Sequence, residues 1–218
     1  MTGTRSFSKY QPLWIGAASL AALPFAMHFL GLSINTATAA VILAIAALGL
    51  NLLVGYTGLT SFGHSAWFGI GAYTAGLIQK SWFHGEIFLP LILSMVFIAA
   101  VSTVAGVLIL RRRGVYFSLL TLALAALTYT VSFRWTDVTG GEDGLGGLQR
   151  GGIGFLSFDD SRAYYTVVAI IAFGVLYMML RLVRSPFGHV LVAIRENQLR
   201  ATFQGYPIER YKLIAFVI

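Results

Sequence analysis

Residues 185–212 read SPFGHVLVAIRENQLRATFQGYPIERYK, a polar and net basic run set between two strongly apolar segments. Ser185 followed by Pro186 is a helix start: a hydroxyl cap, then a ring whose fixed φ and absent N–H suit the first helical position. Gly205 is the stop, with Pro207 just beyond it. Between them Val190, Leu191, Ile194, Leu199 and Phe203 recur at helical spacing, while Arg195, Glu196, Asn197 and Arg200 fill other positions. The pattern predicts one short amphipathic helix outside a membrane, its apolar face held by another element. A plain connecting loop is the alternative.

The flanking segments set the class. Of 218 residues, 57% are hydrophobic and 11% charged, with a mean hydropathy of +0.79. Soluble domains carry about 25% charged residues, so the deficit indicates an integral membrane protein. Twenty-four glycines suit closely packed membrane helices. With no cysteine there is no disulfide framework, thiolate metal site or cysteine nucleophile.

A span needs about 20 apolar residues. Six segments meet this requirement, at 13–32, 36–54, 60–78, 87–110, 115–135 and 163–183, and a seventh starts near Leu213. The expected fold is therefore all-α and polytopic, with six complete transmembrane helices and the start of a seventh. Because the sequence stops at Ile218, a fragment or truncated reading frame is expected. With the N-terminus in the cytoplasm, the inner side holds eleven Lys/Arg and two acids, Glu196 and Glu209. The outer side holds Lys80, Arg134, Arg150 and Arg162 with six acids. This split obeys the positive-inside rule. The formal charge of +7 is thus a topology signal, and nucleic-acid binding loses its motivation.

Polar positions inside the spans are few. Asn51 lies near the inner end of the second span, after a strip of small residues, Ala40, Ala44 and Ala47. The stretch 55–76 carries Ser61, His64, Gly69 and Gly71 in GYTGLTSFGHSAWFGIGAYTAG. Its glycines fit either tight helix packing or a broken helix beside a cavity. His64 has no second His or carboxylate at i+3 or i+4, which favours a hydrogen-bonded structural role. In the fifth span, Ser118, Thr121, Thr128 and Ser132 fall within about 80° of one another at about 100° per residue. They mark either a polar path or an interhelical contact face. The outer loop, 136–162, has acids without calcium-loop spacing, and no metal site is expected. P-loop, H-E-x-x-H and G-x-S-x-G motifs do not occur, so neither ATP binding nor catalysis is expected of this chain.

Three blocks carry a family likeness: NLLVGYTGLTSFGHSAWFGIGAYTAGL (51–77), GVYFSLLTLALA (114–125) with TGGEDGLGGL (139–148), and SPFGHVLVAIRENQLRATFQGYPIERYKLIAFVI (185–218). Together they resemble the LivM-type permease subunits of branched-chain amino acid ABC importers. The resemblance implies a permease domain over 13–218 after a cytoplasmic tail, 1–12, in the bacterial inner membrane. Implied partners are a sister permease, two ATP-binding cassette subunits that hold the ATP, and an extracytoplasmic substrate-binding protein. The loop 185–212 then becomes the coupling element, with Ser185, Pro186, Arg195, Glu196, Asn197, Arg200, Ala201 and Gly205 as its candidate residues. Of the E-A-A-x-x-x-G coupling pattern only Ala201 and Gly205 are present; Leu199 and Arg200 stand at the glutamate and first alanine positions. Family members continue through further helices beyond this point. A urea or amide permease of the same superfamily is the alternative cargo reading. An ATPase-independent transporter is disfavoured, since His28 and His64 are nearly the only ionisable residues within the spans.

Overall fold

The computed structural model describes residues 11–112, 114–148, 151–153, 156–158 and 160–218, with 152, 153, 156 and 157 described as backbone. Ten α-helices occur among them: α1 (Gln11–Phe29), α2 (Ile34–Asn51), α3 (His64–Ser81), α4 (Phe88–Ile109), α5 (Val115–Arg134), α6 (Thr136–Thr139), α7 (Ser161–Val183), α8 (Pro186–Glu196), α9 (Gln198–Phe203) and α10 (Ile208–Val217). Two-residue strands, β1 (Gly152–Ile153) and β2 (Leu156–Ser157), pair antiparallel in the long loop before α7. Apart from that pair the regular structure among the described residues is helical. In hydrocarbon a backbone must satisfy its own hydrogen bonds, and a helix does so within one segment.

Among the described residues five helices are long and apolar enough to cross a membrane: α1, α2 with its extension to Tyr56, α4, α5 and α7. The expected six-plus-one count is not reproduced. Helix α3 starts at His64 rather than at residue 60, because residues 57–63 leave helical geometry around Gly58, whose φ is +73°. Its 18 residues include Gln79, Lys80 and three glycines, which lowers its apolar character. The seventh span, expected from Leu213, begins earlier, after Pro207, and reaches ten residues. The expected tail, 1–12, lies outside the described residues except for its last two positions, which already belong to α1. Arg113, Arg150 and Asp159 of the charge argument also lie outside them.

Helices α1, α2 and α7 form one group. Ala37 and Val41 of α2 pack on Tyr165, Val168 and Ala172 of α7, and the Tyr165 hydroxyl donates to the Leu20 carbonyl of α1 at 2.6 Å. The contact runs through Ala37 and Val41. Ala44 and Ala47 of the expected small strip are exposed, and Ala40 is half-buried. In a second group α3 lies along α4 and α5. The two groups join at the end of the bundle where α2 finishes as a π-helix, Leu52–Tyr56. There Leu53, Leu59, Ile109, Leu110, Phe117 and Phe216 form one core, and Leu52, Met179, Leu191 and Ala215 form another. This end carries Arg111, Arg112, Arg181 and Arg184, and we call it the basic end.

At the opposite end the long loop folds back on the bundle. Thr139 is buried and donates to the Ser132 carbonyl at 2.6 Å. The loop packs closely on Gly76 of α3, where a Cβ would stand 2.6 Å from the end of the Leu145 side chain. Phe158 is buried beside Phe88. The loop therefore has apolar anchors that its glycines and acids did not advertise.

Candidate functional site

The basic end is organised by the quoted stretch. The Ser185 hydroxyl accepts from the Gly188 amide at 3.5 Å and donates to the Leu182 carbonyl at 2.6 Å, and Pro186 occupies the first turn of α8. Gly188 is pressed on the end of α7: a Cβ there would lie 2.1 Å from the Val183 carbonyl oxygen. This tight elbow turns α8 back across the bundle. Val190, Leu191 and Ile194 are buried, with Leu191 fully covered.

One helix was expected over 185–205; the structure has two. Asn197 is extended (φ −155°, ψ 97°), ends α8, and its side-chain oxygen accepts from the Arg200 amide at 3.0 Å to cap α9. Asparagine competes with helical bonding through such local contacts, which makes it a favoured N-cap. The break re-aims α9. Ala201 packs with Val190, Ile194 and Ile208, but Leu199 and Phe203 point away, 67% and 89% exposed. They do not continue the apolar face of α8, as their spacing had predicted. Gly205 (φ +85°) closes α9: its amide donates to the Thr202 carbonyl at 2.9 Å, and the Tyr206 amide donates to the Ala201 carbonyl at 3.3 Å. That double bond pattern is a Schellman stop. Lys212, buried on α10, donates to Gln198 Oε1 at 2.9 Å and fastens α9 from behind. Arg200 is exposed beside Leu199 and Phe203.

Arg195 faces the bundle. Glu196 Oε1 accepts from its Nη2 at 2.7 Å and its Nε at 3.3 Å, and its Nη1 donates to the Gly55 carbonyl. Gly55 lies in the π-helix, with the Asn51 side chain against it: a Cβ on Gly55 would meet Asn51 Oδ1 at 2.5 Å. Asn51 is itself exposed.

The hydroxyl stripe of α5 divides into two uses. Toward the basic end, Ser118 donates to the Thr60 carbonyl at 2.6 Å, and Thr121 Oγ1 accepts from the Phe62 amide at 3.1 Å. Ser61 Oγ accepts from the Gly63 amide at 3.4 Å. A Cβ on Gly63 would fall 2.0 Å from the Thr121 carbonyl oxygen. These groups bind the 57–63 segment to α5. Farther along, Thr128 and Ser132 line a cleft of about 240 Å³ between α3 and α5, with Ser65, Gly69, Tyr73 and Tyr129 among the other lining residues. Among the described residues no charged side chain lines it.

The remaining candidates scatter. The His64 imidazole interacts with the backbone of Ala46 and stands 3.4 Å from where a Gly49 Cβ would be. It is therefore directed toward α2. Gly71 has nothing within 4 Å of its Cβ position, so that face of α3 is open within this chain. Sequence reasoning did not assign functional roles to Gly58, Thr60, Ser65, Tyr73 or Lys212. A positive-φ glycine is legible at Gly58, but none of the others carries a local signal. Among the described residues no group of three His, Asp or Glu is gathered as a metal would need.

Residues 32–218 match the family "Branched-chain amino acid transport system / permease component". Two curated proteins, the high-affinity branched-chain amino acid transport system permease protein LivM of Salmonella typhimurium (strain LT2) and that of Escherichia coli (strain K12), are each 28% identical over 209 residues. The alignment covers 85% of this chain and 49% of each relative, so the chain spans about half the length of the curated relatives it matches. No solved structure matches. The match takes in α2 through α10, including the π-helical end of α2, the hydroxyl face of α5 and the α8–α9 pair. This multi-pass helical membrane protein belongs to the family of permease components of branched-chain amino acid transport systems.

Proposed function

We propose that this chain is a permease subunit of an ATP-driven importer, forming half of the translocation pathway for branched-chain or related amino acids. The reading places residues 185–212 and the N-terminus in the cytoplasm, residues 136–162 outside, and the whole in the inner membrane. The observation that carries it is the α8–α9 pair. Its inner face is clamped by α7, α10 and the end of α2, while Leu199, Arg200 and Phe203 project from the basic end. An apolar pair flanking a cation, on a rigid and capped helix, has the chemistry of a helix that docks in a groove of another protein. The occupant of that role is an ATP-binding cassette subunit, which would hold the ATP; two such subunits and a sister permease complete the membrane assembly. An extracytoplasmic binding protein delivers cargo at the opposite end.

The cleft between α3 and α5 supports the pathway. Its hydroxyls offer donors and acceptors without a fixed charge, so they bind a neutral zwitterion weakly enough to let it leave. The open faces at Gly71 and at Ala44 and Ala47 suit close approach of the sister permease. Co-purification with the full set of subunits tests the reading. A cassette subunit is expected to be retained, and Phe203→Asp should abolish its retention. Parallel uptake of labelled leucine and urea then separates the two cargo classes.

A further inference from the structure

We infer that Arg195 is a positioning residue that carries displacement of α8–α9 into α5 through the short segment 55–63; this rests on the proposed role of the α8–α9 pair. The arginine is engaged at its head and at its stem, with its side chain 42% exposed. Its head pairs with Glu196 and donates to the Gly55 carbonyl. The last carbonyls of a helix have no amide ahead of them to accept from, and here the guanidinium supplies the donor. Its stem fills the space a side chain would need at Gly58: a Cβ there would lie 2.8 Å from Arg195 Cγ. Gly58 holds a φ of +73°, so stem and turn interlock only because that residue is glycine.

From Gly58 the chain has little freedom before it reaches α5. Thr60 receives the Ser118 hydroxyl, Phe62 donates to Thr121, and the Gly63 backbone touches the Thr121 carbonyl. A short segment anchored at three points cannot absorb a displacement without breaking one of them. Motion entering at Arg195 therefore leaves through Ser118 and Thr121. Thr128 and Ser132 stand on the same helix, along the cleft, and Ser65 follows Gly63 into α3 on the opposite wall. The covalent elbow at Ser185 links α8 to α7 alone. Beside the apolar packing of Leu191 on Leu52, Arg195 adds a polar tie that reaches Gly58 and the segment leading to the cleft.

These 218 residues contain no cysteine, so a pair introduced among them meets no competing thiol there. In the pair Gly58→Cys with Arg195→Cys, the Cβ atoms would be 3.5 Å apart, within the disulfide range of about 3.5–4.5 Å. The full-length permease is assembled with its sister, cassette and binding-protein subunits in proteoliposomes, and labelled leucine taken up per ATP hydrolysed is measured. Arg195→Ala is expected to lower that ratio about tenfold, the scale of one lost charge-assisted hydrogen bond. The reduced cysteine pair should match Arg195→Ala, and the oxidised pair, its bond confirmed by loss of thiol labelling, should return toward wild type. Both redox forms share any backbone strain at Gly58, so the comparison cancels it. A wild-type ratio in Arg195→Ala, or an oxidised pair as uncoupled as the reduced one, would overturn the inference while leaving the importer intact. Wild-type complexes that take up neither leucine nor urea on ATP addition would overturn the importer reading and the inference with it.

Discussion

The guanidinium of Arg195 donates to the carbonyl of Gly55, a residue 140 positions earlier in the chain. Its other nitrogens are taken by Glu196, so one side chain joins the α8–α9 pair to the π-helical end of α2. Exchanging the charges, Arg195→Glu with Glu196→Arg, keeps an adjacent ion pair but turns a carboxylate toward the Gly55 carbonyl. An exposed ion pair contributes about 0–1 kcal/mol, so its preservation is not expected to compensate. Substrate uptake per ATP should fall as in Arg195→Ala, with membrane insertion unchanged by protease protection.

Asn197 and Gly205 delimit α9. Removing the cap in Asn197→Ala should cost about 1 kcal/mol of local stability, and Asn197→Asp should retain most of it. Gly205→Ala forces a side chain into the left-handed region, at a cost of about 1–2 kcal/mol. Gly205→Pro cannot adopt that φ and also removes the amide that bonds Thr202. It should uncouple ATP hydrolysis from uptake while insertion persists. Amide exchange across 198–206 in the intact complex checks all four, with protection falling in every variant except Asn197→Asp.

Gly63 and Gly71 look alike in sequence and differ in packing. At Gly63 a methyl would stand 2.0 Å from a backbone carbonyl of α5. Gly63→Ala should therefore destabilise the chain by about 2–3 kcal/mol, as overpacking does. At Gly71 there is open space, so Gly71→Leu should leave the chain's own unfolding midpoint in place. Under the proposed pairing it should prevent recovery of the assembled complex. Detergent unfolding curves and size-exclusion profiles separate the two effects.

Single cysteines introduced at Phe203, at the basic end, and at Glu142, in the opposite loop, report the side of the membrane each faces. Both positions are exposed. In spheroplasts that produce the permease without cassette subunits, a membrane-impermeant maleimide is expected to label Glu142→Cys and to spare Phe203→Cys until the cells are lysed. Labelling of Phe203→Cys in intact spheroplasts would place the α8–α9 pair beyond reach of any cytoplasmic ATPase.

Sequence by itself determined what depends on neighbours along the chain. A run of apolar residues must form a helix in lipid, Ser185 with Pro186 must start one, and Gly205 must end one. The positions of α1, α2, α4, α5 and α7 followed from that. Tertiary structure alone decided which face of each helix meets which neighbour. In a membrane bundle lipid-facing and protein-facing surfaces are both apolar, so periodicity cannot distinguish them. It was packing that turned Leu199 and Phe203 outward past Asn197, left Gly71 open, and divided the α5 hydroxyls between a clamp at Ser118 and Thr121 and a cleft at Thr128 and Ser132. The union of Arg195 with Gly55 and Gly58 has the same origin, since two stretches so distant in sequence meet only when the whole bundle closes.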